Sequence, residues 1–254
     1  MTVQSDLSFV GTGRLFMADR STGAYIDVGN VSAAQLSPQE QTRELPDYTQ
    51  PGGGLRNSLS RITSVNFELT MRDFTIANLA RALQGSGSEV TAGTMTAEPV
   101  TAAKGTALIP LPFTDLSAVT VTDATDGTTT YTGFTVTGAG LLVTAGGDLE
   151  TAIEGSTDGL DLEIDADYGA HGAVQTLTEA GKEFSVIFDG LDEAQSGEPY
   201  VVSMHRVKFS PTSALSLITE DGFGELPLTG RLLADSSKGA GLSQYAEIRR
   251  KSVS

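Results

Sequence analysis

From Ser58 the chain alternates strictly. Leu59, Arg61, Thr63, Val65, Phe67, Leu69 and Met71 fall on one side, and Ser58, Ser60, Ile62, Ser64, Asn66, Glu68, Thr70 and Arg72 on the other. A period of two over this length predicts one long strand with a packed face and a wet face. At Asp73 the spacing becomes helical, carried by Phe74, Ile76, Leu79, Ala80 and Leu83. Asp73 or Thr75 can cap the orphan N–H groups, and Gly85 offers a left-handed stop. A strand that runs straight into a short amphipathic helix lays the helix against the sheet. Val65, Phe67, Leu69, Phe74, Ile76, Leu79 and Leu83 are the expected packing residues.

Around this unit the hydrophobic pattern predicts further strands. Residues 13–18 and 24–37 read as a hairpin, and 176–188, 199–210, 224–234 and 243–249 as strands, with a helical turn at 211–218. Residues 38–57 break the pattern with Pro38, Pro46, Pro51 and the triple glycine Gly52, Gly53, Gly54. They read as a long loop, which in a compact domain is usually functional or disordered. Residues 86–100 read as a polar linker. From 104 to 171 the texture is Thr, Val, Gly and Asp, with strands near 106–110, 117–123, 128–136, 140–144 and 159–168. Turn signals at Asp126-Gly127, Gly146-Gly147 and Asp158-Gly159 separate them. Five short strands at this spacing predict a small Ig-like β-sandwich. The fold expected is mainly β: a domain from 1–103 and 172–254 with a module at 104–171 inserted in it.

Composition narrows the function. With 254 residues and 39% hydrophobic content, a packed core is within reach. There is no cysteine, so neither a disulfide framework nor a thiolate metal site is possible. The first residues lack the basic and apolar regions of a secretory signal, and no apolar run approaches the ~20 residues of a membrane helix. The formal charge is −16, and it is uneven. Residues 86–200 hold two lysines against nineteen acids, whereas the flanking segments are nearly neutral. A nucleic-acid grip would carry the opposite sign.

Few residues suggest chemistry. Gly11-Thr-Gly13 opens like a dinucleotide loop but has Phe16 where the third glycine belongs, and Gly52–Gly54 lacks the lysine of a phosphate loop. His171 and His205 have no partner at metal spacing. Asp161, Glu163, Asp165 and Asp167 share one strand face and could be imagined around calcium. Carboxylates ~7 Å apart along a strand cannot enclose one ion, and a solvated face is the plainer reading. No cofactor and no catalytic residue is expected.

Four stretches carry a resemblance: GTGRLFMADRSTGAYIDVGNVS, ELPDYTQPGGGLRNSLSRITSVNFELTMRDFTIANLARALQG, HRVKFSPTSALSLITEDGFGELPLTGRLLAD, and ALIPLP with VTVTDATDGTTTYTGF. Together they resemble the major tail tube proteins of long-tailed, siphovirus-like bacteriophages. That resemblance implies a virion protein assembled in the host bacterial cytoplasm. Six copies would pool strands into one inner β-barrel with a helix packed outside it. The rings would stack into a hollow tube that meets tape measure, tail terminator and tip proteins, and DNA would pass down the lumen without specific binding. It places Ser58, Ser60, Ser64, Asn66, Glu68 and Thr70 toward the lumen. The loop with Glu44, Asp47, Tyr48, Pro51, Gly52, Gly53 and Gly54 would reach the neighbouring ring, and the inserted module would face outward. A surface adhesin or carbohydrate-binding protein is the rival that the Thr/Gly/Asp-rich sandwich raises.

Overall fold

The computed structural model describes residues 8–49, 51–220 and 222–251. Its elements are almost all antiparallel strands, and they form two compact units, 1–87 with 174–254 and 88–173.

The first unit opens with β1 (Gly11–Asp19), β2 (Tyr25–Asp27), β3 (Val31–Pro46), β4 (Leu55–Met71) and the helix α1 (Ile76–Ala82), and β5 (Ser86–Val90) runs from it into the second. The strand expected over 24–37 is split at Gly29, whose φ is +83°. Asp27 accepts the Gly29 N–H and Asp73 that of Asn30, so the chain leaves β1 and turns toward β4. The loop expected over 38–57 does not exist in that form. β3 and β4 instead make one long hairpin, paired from Val31↔Met71 out to Pro46↔Leu55, and only 47–54 is turn.

The second unit holds β6 (Gly93–Ala102), β7 (Leu108–Pro110), β8 (Leu116–Asp123), β9 (Thr130–Tyr131), β10 (Phe134–Thr137), β11 (Gly140–Val143), the helix α2 (Asp148–Gly155) and β12 (Leu160–Tyr168). Its sheets, β6-β12-β8-β9 and β10-β11-β7, share a core of Met95, Ile109, Val121, Leu141, Leu162 and Ile164, closed by Leu149 and Ile153 of α2. The insertion therefore starts before residue 104. The stretch expected as linker contains β6, which pairs along the whole of β12.

The chain returns through β13 (His171–Gln175), which pairs with β5, then β14 (Glu183–Asp192), β15 (Glu198–Phe209), β16 (Leu226–Leu232) and β17 (Ala246–Arg250). Residues 211–218, expected as a helical turn, are irregular. The large sheet runs β2-β1-β14-β15-β16-β4-β3, with β17 beside β15. Leu15, Met17, Val65, Phe67, Leu69, Met71, Val186, Val207 and Leu228 fill its core.

Helix α1 begins where expected: Thr75 accepts the Asn78 N–H. Its buried face differs, being Asn78 and Ala82 with Leu79 packed beside the core. Phe74 is exposed, and Ile76 and Leu83 are only half-buried. The Asn78 amide donates to the carbonyls of Val28 and Asp73, and this fixes the rotation of a helix too short to set its own face. The left-handed residue at the helix end is Gln84, with φ of +47°, not Gly85. Gly85 is required for another reason: a Cβ there would collide with the Gln175 carbonyl.

Two buried carboxylates tie distant parts of this unit together. Asp192 accepts from the Val10 N–H and the Arg250 guanidinium, holding both ends of the described chain to β14. Asp235 accepts from Arg20 Nη1 at 3.0 Å and from both the hydroxyl and N–H of Ser237. These bonds, the Ser237 hydroxyl foremost, hold its pKa down to about 2. A carboxyl whose folded pKa is depressed contributes stability above its unfolded value, here 3.8, and loses it as pH falls toward 2. Thermal unfolding followed between pH 5 and 2 is expected to show the wild-type midpoint falling in this window. Asp235→Asn is expected to start lower and to fall less.

Candidate functional site

The hairpin β3–β4 divides into two halves. From Val65 to Met71, β4 pairs with β16 on one side and β3 on the other, and alternate residues are buried. Before Val65 that support ends. Residues 55–63 and their partners in 39–46 are exposed on both faces, with no other strand of the described residues beside them. The change falls at a bulge: Ile62, Thr63 and Ser64 of β4 oppose only Gln39 and Glu40 of β3. A bulge adds twist and bends the strand, and the projecting ribbon begins there.

The ribbon is well formed. Asp47 N–H donates to the Gly54 carbonyl at 2.7 Å, and Asp47 Oδ1 accepts from the N–H and hydroxyl of Thr49. Those two bonds, the hydroxyl foremost, lower the Asp47 pKa. Gly52, Gly53 and Gly54 all have positive φ with open space around them, so the tip needs glycine for its backbone and not for clearance. Tyr48 and Pro51 stand exposed beside it. Down the stem Leu45, Leu55, Leu59 and Ile62 are each about half exposed or more. Glu40, Arg43, Glu44, Asp47, Arg56 and Arg61 stand among them, and among the described residues none of the six makes an ion pair.

The residues read toward a lumen fall in both halves. Ser58 and Ser60 lie on the ribbon, with Ser60 Oγ 2.9 Å from Thr42 Oγ1. Ser64, Asn66, Glu68 and Thr70 lie on the supported half, opposite the core residues Val65, Phe67 and Leu69. The Thr63 bulge interrupts the alternation between the two sets. Neighbouring strands extend the second set: Gln35 and Ser37 of β3 and Thr229 and Arg231 of β16 sit beside Glu68 and Asn66. These eight positions are polar and near neutral, with one acid and one base, and Lys208 of β15 stands directly across from Arg231. Arg72, at the end of the β4 row, is neutralised by Glu225 at 2.5 Å.

The acidic row in the second unit is engaged locally. Asp161 accepts from Thr101 Oγ1 at 2.7 Å, Asp165 from the Ala97 N–H at 2.9 Å and Asp167 from Thr94 Oγ1 at 3.0 Å. Ala97 has φ of +48° at a bulge against β12, and Asp165 caps it. Among the described residues no group of three or more His, Asp or Glu is placed to hold a metal ion. His171 contacts the Gly169 carbonyl at 3.0 Å beside the stacked rings of Phe113 and Tyr168. His205 lies half-buried in β15, where burial lowers its pKa. What stands out in the first unit is thus a projecting surface, and a sequence comparison covers all of it.

The chain belongs to the UCP028589 family. The family's model, described as a protein of unknown function, matches residues 8–249. No curated protein matches the chain. The UCP028589 match runs through the ribbon, the inserted sandwich and the return strands, so both units lie within the family's span.

The two halves of β4 are expected to respond differently to truncation. Phe67→Ala removes a ring that is 2% exposed and packed against Phe209, at a cost of about 3–5 kcal/mol. Leu59→Ala on the ribbon is expected to change the stability of the dilute protein by less than about 0.5 kcal/mol. Urea denaturation at low protein concentration measures both.

Proposed function

We propose that this protein is a structural subunit that polymerises with itself, forming rings that stack into a tail tube of the kind found in the long-tailed phages it resembles. The observation that carries this reading is the ribbon. A two-stranded hairpin exposed on both faces is marginal in water. Its open edges are a liability that proteins normally cover. Here the two strands are long and, among the described residues, paired only with each other, with apolar side chains and unpaired charges of both signs displayed along them. Such a surface is made complete by another copy.

The supported half of the sheet fits the channel of such a tube. Pooling strands around a ring removes their edges. A conduit must not hold the DNA that passes through it, since each Lys or Arg on phosphate adds a salt-dependent attachment. The outer row of Gln35, Ser37, Ser64, Asn66, Thr70 and Thr229 is uncharged and polar around the single acid Glu68, and the bases Arg231 and Lys208 stand together on its β15 side. In this reading the ribbon spans to the next ring, and the rings meet tape measure and terminator proteins at the ends of the tube.

Self-assembly is the direct test. Purified protein raised in concentration is expected to form rings or tubes with a central channel by negative-stain electron microscopy. Leu59→Asp combined with Ile62→Asp should abolish them while leaving the unfolding midpoint of the dilute protein unchanged. A wild type that light scattering finds monomeric at every concentration would overturn the reading.

A further inference from the structure

The large sheet does not close on itself. Its ends are β1, where β2 pairs only with Phe16–Ala18, and β3, whose outer edge carries no partner strand among the described residues. Between these ends lies a groove of about 500 Å³, with Gly11, Thr12, Gly13 and Leu15 on one bank, Val31–Leu36 on the other, and Phe67, Val202 and Met204 among its lining. No residue lining it is charged, in a chain where 48 residues are Lys, Arg, Asp or Glu. Ala34 and Leu36 share the face of Leu69 and Phe67, yet they stay exposed because none of the described residues covers them.

The same unit carries an apolar projection. Between β15 and β16 the chain runs irregularly through Ser213–Thr219, and Leu217, Ile218 and Phe223 are 87%, 89% and 89% exposed. The projection is anchored at its base. Thr212 donates its N–H to the Ala82 carbonyl and its hydroxyl to the Pro227 carbonyl, and Arg72 Nη1 donates to the carbonyl of Phe223 at 3.1 Å. Three large side chains are held out into water by named contacts.

We infer that Ser216–Thr219 of one copy, the stretch just past Leu215, which packs on its own core, seats in the β1–β3 groove of the next copy. The segment SLIT has no charge and the groove has none, whereas the other exposed apolar surface, the ribbon, carries a charge every few residues and would strand it there. The banks of the groove offer bare strand edges, and an irregular segment can pair with an edge by strand addition while its side chains fill the floor. Projection and groove are different surfaces of one subunit, so the contact is head-to-tail. Contacts of that type close into rings or propagate as filaments. The inference deepens the self-assembly reading and rests on it.

Because the chain has no cysteine, introduced thiols report the contact cleanly. Ala34→Cys and Leu217→Cys are made as separate proteins, and each is oxidised alone and as an equal mixture. The mixture is expected to give a disulfide-linked dimer on a non-reducing gel, at least tenfold above either protein alone. Wild-type protein is imaged alongside. If it assembles but the mixture cross-links no better than the single proteins, the groove assignment is overturned and self-assembly stands. If it stays monomeric at every concentration and no cross-link forms, both fall.

Discussion

A sheet must do something with the N–H and C=O groups at its edges, and this requirement shapes the whole first unit. Within the body it is met strand by strand, from β1 through β14, β15 and β16 to β4 and β3. At Thr63 it stops being met. Beyond the bulge, β3 and β4 have only each other, and each turns an unpaired edge outward. The bulge is where the hydrophobic core runs out, since Val65 is the last buried residue of β4 toward the tip. The hairpin continues well past the region its own subunit can support. A chain that keeps such an element ordered, with a hydrogen-bonded turn and glycines at the left-handed positions, presents an extended surface at fixed geometry.

The residues that made this legible, and those that hid it, differ in physical kind. The alternation of Val65, Phe67, Leu69 and Met71 was readable because one side of β4 is packed and the other wet, and the pairing register locks that difference in. The ribbon was hidden because its breakers are real breakers elsewhere. Pro38 and Pro46 cannot donate to a ladder, but β3 is an edge strand, where a missing donor can face outward at no cost. Helix α1 misled for the opposite reason. Its apolar spacing is regular, yet over seven residues the hydrogen bonds of Asn78 decide which side faces in. A buried asparagine with two carbonyl partners gives no signal in a hydrophobic pattern. β6 was missed because an outer strand of mostly small and Thr residues, interrupted by Pro99, resembles a linker until its partner is known.

The concentration of acid in the second unit has a local cause as well. Asp123 accepts from Thr125, Asp126 from Thr128 and Thr129, and Asp148 from Thr132, Gly133 and Leu149. These aspartates build turns by taking the place of a backbone acceptor. The pKa of Asp126 is pulled down to about 2 by the hydroxyl and N–H of Thr129 and then the Thr128 N–H. Much of the negative charge concentrated in this part of the sequence is the by-product of a sandwich joined by short Asp-Thr turns. The row on β12 belongs to the same economy, three of its four carboxylates reaching sideways to β6.

Magnitudes then say why such a surface would need many copies and not two. Fully burying a leucine or isoleucine is worth about 1.5–3 kcal/mol. Leu45, Leu55, Leu59 and Ile62 retain only about half their exposure for a partner to remove, which leaves roughly 3–6 kcal/mol in total. Association itself costs about 4–15 kcal/mol in lost translational and rotational freedom. One ribbon contact alone therefore lies near balance. In the proposed tube a ring would change the arithmetic: its copies would already be fixed to one another, so once one ribbon docks on the next ring the others would form with most of that freedom already lost. Marginal single contacts multiplied around a ring would keep the free protein dispersed while making the stacked assembly stable, and a two-stranded ribbon of modest hydrophobicity is suited to that balance.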